Sequence, residues 1–157
     1  MLGGLARWLR AAGYEAVWKP QASDAELVRE AQENGLFLLS SDSGFVERKV
    51  IRDGAVQFLL IPRGLHNVEM LAFVLGELAL PLKDSRCMIC GGELCEVPKR
   101  EAQSEAPPLA YENQETFFRC ARCKKLYWHG THWQRISASL ARAQSKARRE
   151  SRAESEE

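Results

Sequence analysis

Residues 36–42 read Leu-Phe-Leu-Leu-Ser-Ser-Asp, four apolar residues followed by two hydroxyl residues and an aspartate. A continuous apolar run of this length predicts a strand that is covered on both faces, as in a parallel sheet. A second run, Phe58–Ile61, ends at Pro62 and predicts a second buried strand. Because helical patterns flank both runs, the sequence predicts an α/β fold in which helices flank a parallel sheet.

The helical patterns have recognisable starts and stops. Leu5 and Leu9 fall on one helical face, and Gly13 follows where a helix stop is expected. Ser23-Asp24-Ala25-Glu26 is a capping-box pattern, which predicts the start of a helix that Gly35 stops. The other predicted elements are a short strand over residues 16–18, a helix over residues 45–52, and a helix that is capped by Asn67 and ended by Pro81.

Two C-x-x-C knuckles, Cys87-Met-Ile-Cys90 and Cys120-Ala-Arg-Cys123, are separated by 29 residues. Two such knuckles supply the four sulfur ligands of a closed, tetrahedral zinc site, which is structural because no coordination position stays open. Gly91 and Gly92 suit the backbone just past a knuckle, where a positive φ is often required. A pair of disulfides is the alternative, but the few cysteines and the lack of a secretory pattern favour zinc. Cys95 is most simply a free thiol or a minor core residue.

The composition allows one moderate core and a small additional module, since the chain has 157 residues, 45% of them hydrophobic. A net charge of +1 excludes the global basic field of non-specific nucleic-acid binders, so such a partner would need a local patch. We predict an α/β domain at residues 1–83, a zinc ribbon at 84–136, and a charged tail, partly helical or disordered, at 137–157. The lack of a membrane-length apolar run and of a signal-peptide pattern predicts a cytoplasmic protein with no membrane partner.

Asp42 is the leading candidate for chemistry. It follows a predicted strand, and ligands of open parallel sheets bind outside the carboxyl ends of the strands, where an aspartate can hold a divalent cation. A turn or helix-cap role is the alternative. Asp24 and Glu26 lie in the first turn of a helix, where acidic side chains also favour the helix dipole. Carboxylates that converge on one edge would suit Mg²⁺ or Mn²⁺.

Basic and aromatic residues suggest a nucleic-acid contact. A phosphate-facing rim or an ordinary solvated surface would explain the cations Arg7, Arg10, Arg48, Lys49 and Arg52. His132, beside Trp133, either touches nucleic acid or belongs to a packed aromatic edge of the ribbon.

Five motifs follow one another in a characteristic order. They are Met1-Leu-Gly-Gly-Leu-Ala-Arg-Trp-Leu-Arg-Ala-Ala-Gly13, Ser23-Asp24-Ala-Glu26-Leu-Val, Leu38-Leu39-Ser40-Ser41-Asp42, Ser85-Arg86-Cys87-x-x-Cys90, and Cys120-x-x-Cys123-x-x-x-Tyr127-Trp128-x-Gly130-x-His132-Trp133. From residue 1 to about residue 140, this order resembles the Mut-seven C-terminal ribonuclease family, in which a PIN-like nuclease domain precedes a C-terminal zinc ribbon.

The resemblance implies a metal-dependent endoribonuclease that hydrolyses RNA phosphodiester bonds. Asp24 and Asp42 match two members of the acidic cluster with which PIN-like nucleases hold Mg²⁺ or Mn²⁺, and Glu26 and Glu47 are weaker contributors. It also implies one structural zinc per chain, on Cys87, Cys90, Cys120 and Cys123. The alternative is a catalytically inactive RNA- or protein-binding module that retains the same scaffold.

Two departures from the family pattern matter. Ser41 stands where the family commonly has arginine. The family also begins with a strand that ends in an aspartate about two residues before Met-Leu-Gly, so we expect that strand and its aspartate to be missing here. A sequence that begins too late is another explanation. The apolar runs at 36–39 and 58–61 would then lack their shared neighbour, and we expect a homo-oligomer or a partner strand to complete the sheet.

Overall fold

Helices alternate with two small sheets along residues 2–155, which are the residues that the computed structural model describes. In chain order the elements are α1 (Leu2–Ala11), α2 (Asp24–Asn34), β1 (Leu38–Ser40), a 3₁₀ turn (Ser43–Glu47), α3 (Lys49–Arg52), β2 (Phe58–Leu60), α4 (Asn67–Glu77), β3 (Leu94–Val97), α5 (Lys99–Ala102), α6 (Pro108–Asn113), β4 (Phe117–Cys120), β5 (Leu126–Trp128) and α7 (Thr131–Ser155). The α/β prediction is confirmed. Met1 and residues 156–157, to which part of the first motif and the end of the charged tail were assigned, lie outside the described residues.

Strands β1 and β2 form a parallel pair in which Leu39 is opposite Leu59. The parallel pairing agrees with the prediction, but the two strands pair directly, so the expectation that they need a shared neighbour between them was wrong. Leu36 and Phe37 precede β1, and each stays about 40% exposed. The predicted burial therefore fails for Leu36 and Phe37, whereas Leu38 and Leu39 pack against separate hydrophobic clusters on the two faces of β1.

The local start and stop patterns have mixed outcomes. Ser23 and Glu26 form the predicted capping box at the start of α2, and Gly35 ends that helix with a left-handed φ of 61°. The predicted helix at 45–52 is instead a 3₁₀ turn followed by α3, because Arg48 adopts an extended conformation between them. Residues 16–18 form no strand, and α4 has His66 rather than Asn67 as its N-cap.

Helices α1, α4 and α7 share the main hydrophobic core. Its fully buried members include Leu5 on α1 and Leu71 and Leu75 on α4. Helix α7 adds Leu140 and Ala147, and the latter lies 3.6 Å from the position that a Cβ on Gly76 would occupy. Burying a leucine side chain contributes on the order of 2 kcal/mol, so this face fixes α7 on the α/β part of the chain. Helix α7 thus crosses the predicted boundary at residue 136.

The second sheet is antiparallel, in the order β3-β4-β5, and Phe117 on β4 is buried beneath α5 and α6. Arg10 ties this module to α1. Its guanidinium is buried and donates hydrogen bonds to the carbonyl oxygens of Ala16 (2.8 Å), Met88 (3.1 Å) and Ile89 (2.8 Å). Arg10 therefore clasps the first cysteine knuckle and cannot belong to the predicted phosphate-facing rim, which is a correction to the sequence analysis.

Candidate functional site

The four knuckle cysteines converge on one point. All four sulfur atoms lie within 4.8 Å of one another, with Cys87 and Cys123 3.6 Å apart and Cys90 and Cys120 3.5 Å apart. A tetrahedral zinc ion, about 2.3 Å from each sulfur, sets sulfur–sulfur distances of roughly 3.8 Å. The thiols are free rather than paired in disulfides. The cluster can therefore hold a structural metal ion such as zinc, with no coordination position left for a substrate.

The backbone of each knuckle turns in the same way. Gly91 and Lys124 each follow the first cysteine of a knuckle by four residues and have positive φ angles of 77° and 64°. Their N–H groups donate to the carbonyls of Cys87 (2.7 Å) and Cys120 (3.0 Å). Gly92 is needed for another reason, because a Cβ there would lie 2.7 Å from the Cys120 sulfur. The expectation of a positive φ thus holds for Gly91, whereas Gly92 allows the close approach of backbone to thiol.

Tyr127 on β5 supports the cluster from outside. Its hydroxyl lies 3.0 Å from the Cys87 sulfur. Burial alone would raise the pKa of the Cys87 thiol, but hydrogen bonds from Tyr127 and from the N–H groups of Cys90 and Ile89 lower that pKa to about 6. Burial and the adjacent Cys87 sulfur raise the pKa of Tyr127, so it stays a hydrogen-bond donor. Tyr127 belongs to a motif of the sequence, but its contact with Cys87 depends on strand register and was not predicted.

Asp42 lies at the carboxyl end of β1, as predicted. It is the N-cap of the 3₁₀ turn, and its Oδ1 accepts a hydrogen bond of 2.9 Å from the Gly44 N–H. The side chain is exposed, and its Oδ2 makes no hydrogen bond within residues 2–155. The capping role that was the alternative is therefore present, and it leaves one carboxylate oxygen available to a ligand.

The other predicted acidic residues are engaged or isolated. Asp24 is exposed and forms an ion pair of 3.1 Å with Arg48, whose guanidinium also lies over the Phe45 ring. Glu26 accepts hydrogen bonds from the side chain and the N–H of Ser23, which lower its pKa. Its carboxylate thus serves the helix cap, and Glu47 is exposed on the 3₁₀ turn. Among the described residues, three or more possible metal ligands come together at the cysteines and not at these carboxylates.

The predicted nucleic-acid contacts, apart from the buried Arg10, belong to α1, the start of α3 and α7. Arg7, Lys49 and His132 are exposed, whereas Arg48 is half-buried in its pair with Asp24. The neighbouring His129 stacks on Trp133, with ring centroids 5.1 Å apart, so a packed aromatic edge exists beside His132.

Two polar residues that the sequence analysis did not single out for function lie at the same edge as Asp42. Arg63 follows β2, and its Nε lies 3.4 Å from the Ser41 carbonyl. Asn67 begins α4 and lies against Gly4 of α1, where any Cβ would collide with its amide. Both residues follow the second apolar run in the sequence. Because the carboxyl ends of parallel strands meet at one edge of a sheet, the position of Arg63 and Asn67 after this run could have identified them as candidates.

An apolar groove lies beside β1. It has a volume of about 290 Å³, and residues from both faces of the strand line it: Leu38 with Leu27 of α2, and Leu39 with Leu5 of α1. In the parallel ladder the backbone groups of Leu38 and Ser40 point toward β2, so those of Leu39 point the other way. The groove therefore runs along the unpaired edge of β1.

Comparison with known proteins gives one match. A model of the family described as the Mut7-C RNAse domain matches residues 1–140. The search of curated proteins and the search of solved structures found no match. In the described part of the chain, none of the helices combines the length and the apolar character needed to cross a membrane.

Proposed function

We propose that the chain, which belongs to the Mut7-C RNAse domain family, is a metal-dependent endoribonuclease of PIN-like type that hydrolyses RNA phosphodiester bonds. One observation carries the proposal: the Asp42 carboxylate is exposed at the carboxyl end of a parallel strand and keeps an oxygen free. Asp24 is the second proposed ligand. The carboxylates of Asp42 and Asp24 suit Mg²⁺ or Mn²⁺, because such ions often use one or two carboxylates together with water and substrate phosphates.

The proposed ion would activate water for in-line attack on phosphorus and stabilise the charge that develops on the leaving oxygen. In this proposal, arginine side chains hold and orient the RNA. Arg48 is placed to exchange its exposed ion pair with Asp24 for an RNA phosphate, since surface pairs of this kind are weak. Arg63, at the same edge, is placed to contact a neighbouring phosphate. Arg7, Lys49 and His132, which are exposed, remain additional proposed RNA contacts.

The cleavage assay is the primary test. Purified protein is expected to cut single-stranded RNA with Mg²⁺ or Mn²⁺, and chelation of the added ion is expected to slow cleavage by at least about 100-fold, because the reaction loses its water-activating group. The cut fragments are resolved on gels, and the zinc content is measured before and after chelation to show that the ribbon is intact. Restored cleavage on adding back Mn²⁺ is the matched control. Cleavage that persists without divalent ions, in protein free of contaminating nuclease, would contradict the proposal.

A catalytically inactive RNA- or protein-binding module is the second candidate. It is favoured because, among the described residues, neither Asp24 nor Asp42 belongs to a group of three or more possible metal ligands. The same assay separates the two candidates, because RNA that is bound but never cut at any concentration of Mg²⁺ or Mn²⁺ would support the binding module.

Zinc is the proposed resident ion of the cysteine cluster, at one per chain, because a closed set of four thiol ligands suits it. We further propose the division into a PIN-like domain at 1–83, a zinc ribbon at 84–136 and a tail at 137–157 that is docked through α7. Free cysteines that serve as ligands fit a reducing compartment such as the cytoplasm.

We propose that a strand from a second copy pairs with the unpaired edge of β1. Exposed Leu36 and Phe37 and the apolar groove beside them support pairing with an extended apolar segment. Light scattering is expected to give twice the 17.7 kDa chain mass, and Phe37→Asp is expected to halve it. Val46→Asp, at an exposed apolar residue away from the groove, is the control. A wild-type mass of one chain at high protein concentration would overturn this proposal.

A further inference from the structure

Helix α7 carries a line of exposed cations, here called the basic stripe: Arg135, Arg142, Lys146 and Arg149. At 3.6 residues per turn they fall within about 60° of the helix circumference and extend over about 21 Å of its length. The buried residues of α7, such as Leu140 and Ala147, fall on a face about 120° away. Docking on α4 therefore fixes the helix and leaves the basic stripe facing solvent.

The basic stripe is poorly neutralised. Lys146 has two long ion pairs, 3.9 Å to Glu69 and 3.8 Å to Glu150, and exposed pairs at such distances contribute little. The other three members make no ion pair with any described residue. Over its whole length α7 has six basic residues and two acidic ones. A rigid line of positive charge that is only weakly neutralised is complementary to a polyanion with evenly spaced charges.

One member of the basic stripe, Lys146, contacts the first turn of α4, the helix that follows β2 in the chain. Lys146 reaches Glu69 in the first turn of α4, and that carboxylate also accepts a hydrogen bond of 2.9 Å from the His66 N–H. His66 and Arg63 lie in the segment that connects the carboxyl end of β2 to α4, and the Arg63 Nε lies 3.4 Å from the carbonyl of Ser41, next to Asp42. Three members of the stripe lie beyond residue 140, where the family match ends.

We propose that the basic stripe binds the phosphate backbone of single-stranded RNA and leads the strand toward the edge that holds Asp42; this rests on the proposed function. An anionic membrane surface is the competing polyanion. A helix that binds membranes needs a free apolar face to insert, but the apolar face of α7 is buried against α4. The observations therefore favour RNA, because contacts of cations with its phosphate backbone need no inserted apolar face.

The test compares two triple variants of the full, zinc-loaded chain. The stripe variant is Arg142→Gln, Lys146→Gln and Arg149→Gln, and the control variant, which loses the same charge from other exposed positions, is Arg100→Gln, Arg148→Gln and Arg152→Gln. Binding to a labelled RNA of about 12 nucleotides is measured by fluorescence anisotropy over a range of salt concentrations, without added divalent ion. The stripe variant is expected to raise Kd by about 10-fold or more at low salt and to lower the salt slope by about 2, whereas the control changes Kd less than about twofold.

The outcomes separate this inference from the proposed function. Equal losses in the two triple variants, or no RNA binding by the wild-type chain at low salt, would overturn the inference. Loss of binding to vesicles of anionic lipid with unchanged RNA binding would overturn it in favour of a membrane. Stripe-dependent RNA binding without any cleavage would support the inference while the endoribonuclease proposal fails. Cleavage that is unaffected in the stripe variant, together with unchanged Kd, would leave the enzyme proposal intact and reject the stripe.

Discussion

Replacing Cys87 or Cys120 with serine is expected to abolish zinc binding and to unfold the ribbon. Both residues are completely buried, and each supplies a sulfur to the four-thiol cluster. Structural zinc contributes on the order of 10 kcal/mol or more in small modules, and the three-stranded sheet has only a small cluster around Phe117 to replace it. The loss should spread to α1, because Arg10 would be left buried without the carbonyls of Met88 and Ile89.

Metal analysis and thermal unfolding check this expectation. Wild-type protein should contain about one zinc per chain, and either serine variant should contain almost none and melt at a lower temperature. Cys95→Ser is the matched control, because Cys95 is an exposed cysteine on β3 that lies outside the cluster. Stoichiometric zinc in a variant without Cys87, Cys90, Cys120 and Cys123 would show that the ion lies elsewhere.

Features set by neighbouring residues were predictable from the sequence. The capping box of Ser23 and Glu26 depends on a span of four residues, and the paired knuckles depend on spacing and on the chemistry of thiolates. The two parallel strands followed from their apolar composition. Their burial was only partly predictable, because the exposure of Phe37 depends on which elements of the fold cover it, and no local pattern encodes that.

Roles that depend on distant contacts were not predictable. Arg10 has the spacing of a surface cation on α1, yet two of its three hydrogen-bond partners lie 78 and 79 residues away, in the first knuckle. Arg48 was predicted as a phosphate contact. Its ion pair with Asp24, 24 residues away in the chain, could not be predicted without the tertiary structure. The docking of α7 was likewise not predictable, because the sequence does not show against which helix Leu140 packs. At the carboxyl ends of β1 and β2, the position of Asp42 after a predicted strand identified it from the sequence. The side chains that surround Asp42 depend on the tertiary structure.

Asp42→Asn is expected to lower the cleavage rate by at least about 100-fold while leaving RNA affinity within about threefold of wild type. The substitution removes the negative charge that would hold the ion, but an asparagine oxygen can still accept the Gly44 N–H and cap the 3₁₀ turn. A loss of activity would then reflect chemistry rather than misfolding, and an unchanged melting temperature checks this. Asp53→Asn, at the end of α3, is the control carboxylate and should keep full activity. Cleavage by Asp42→Asn at the wild-type rate would remove Asp42 from the site and leave the binding module as the better account of this fold.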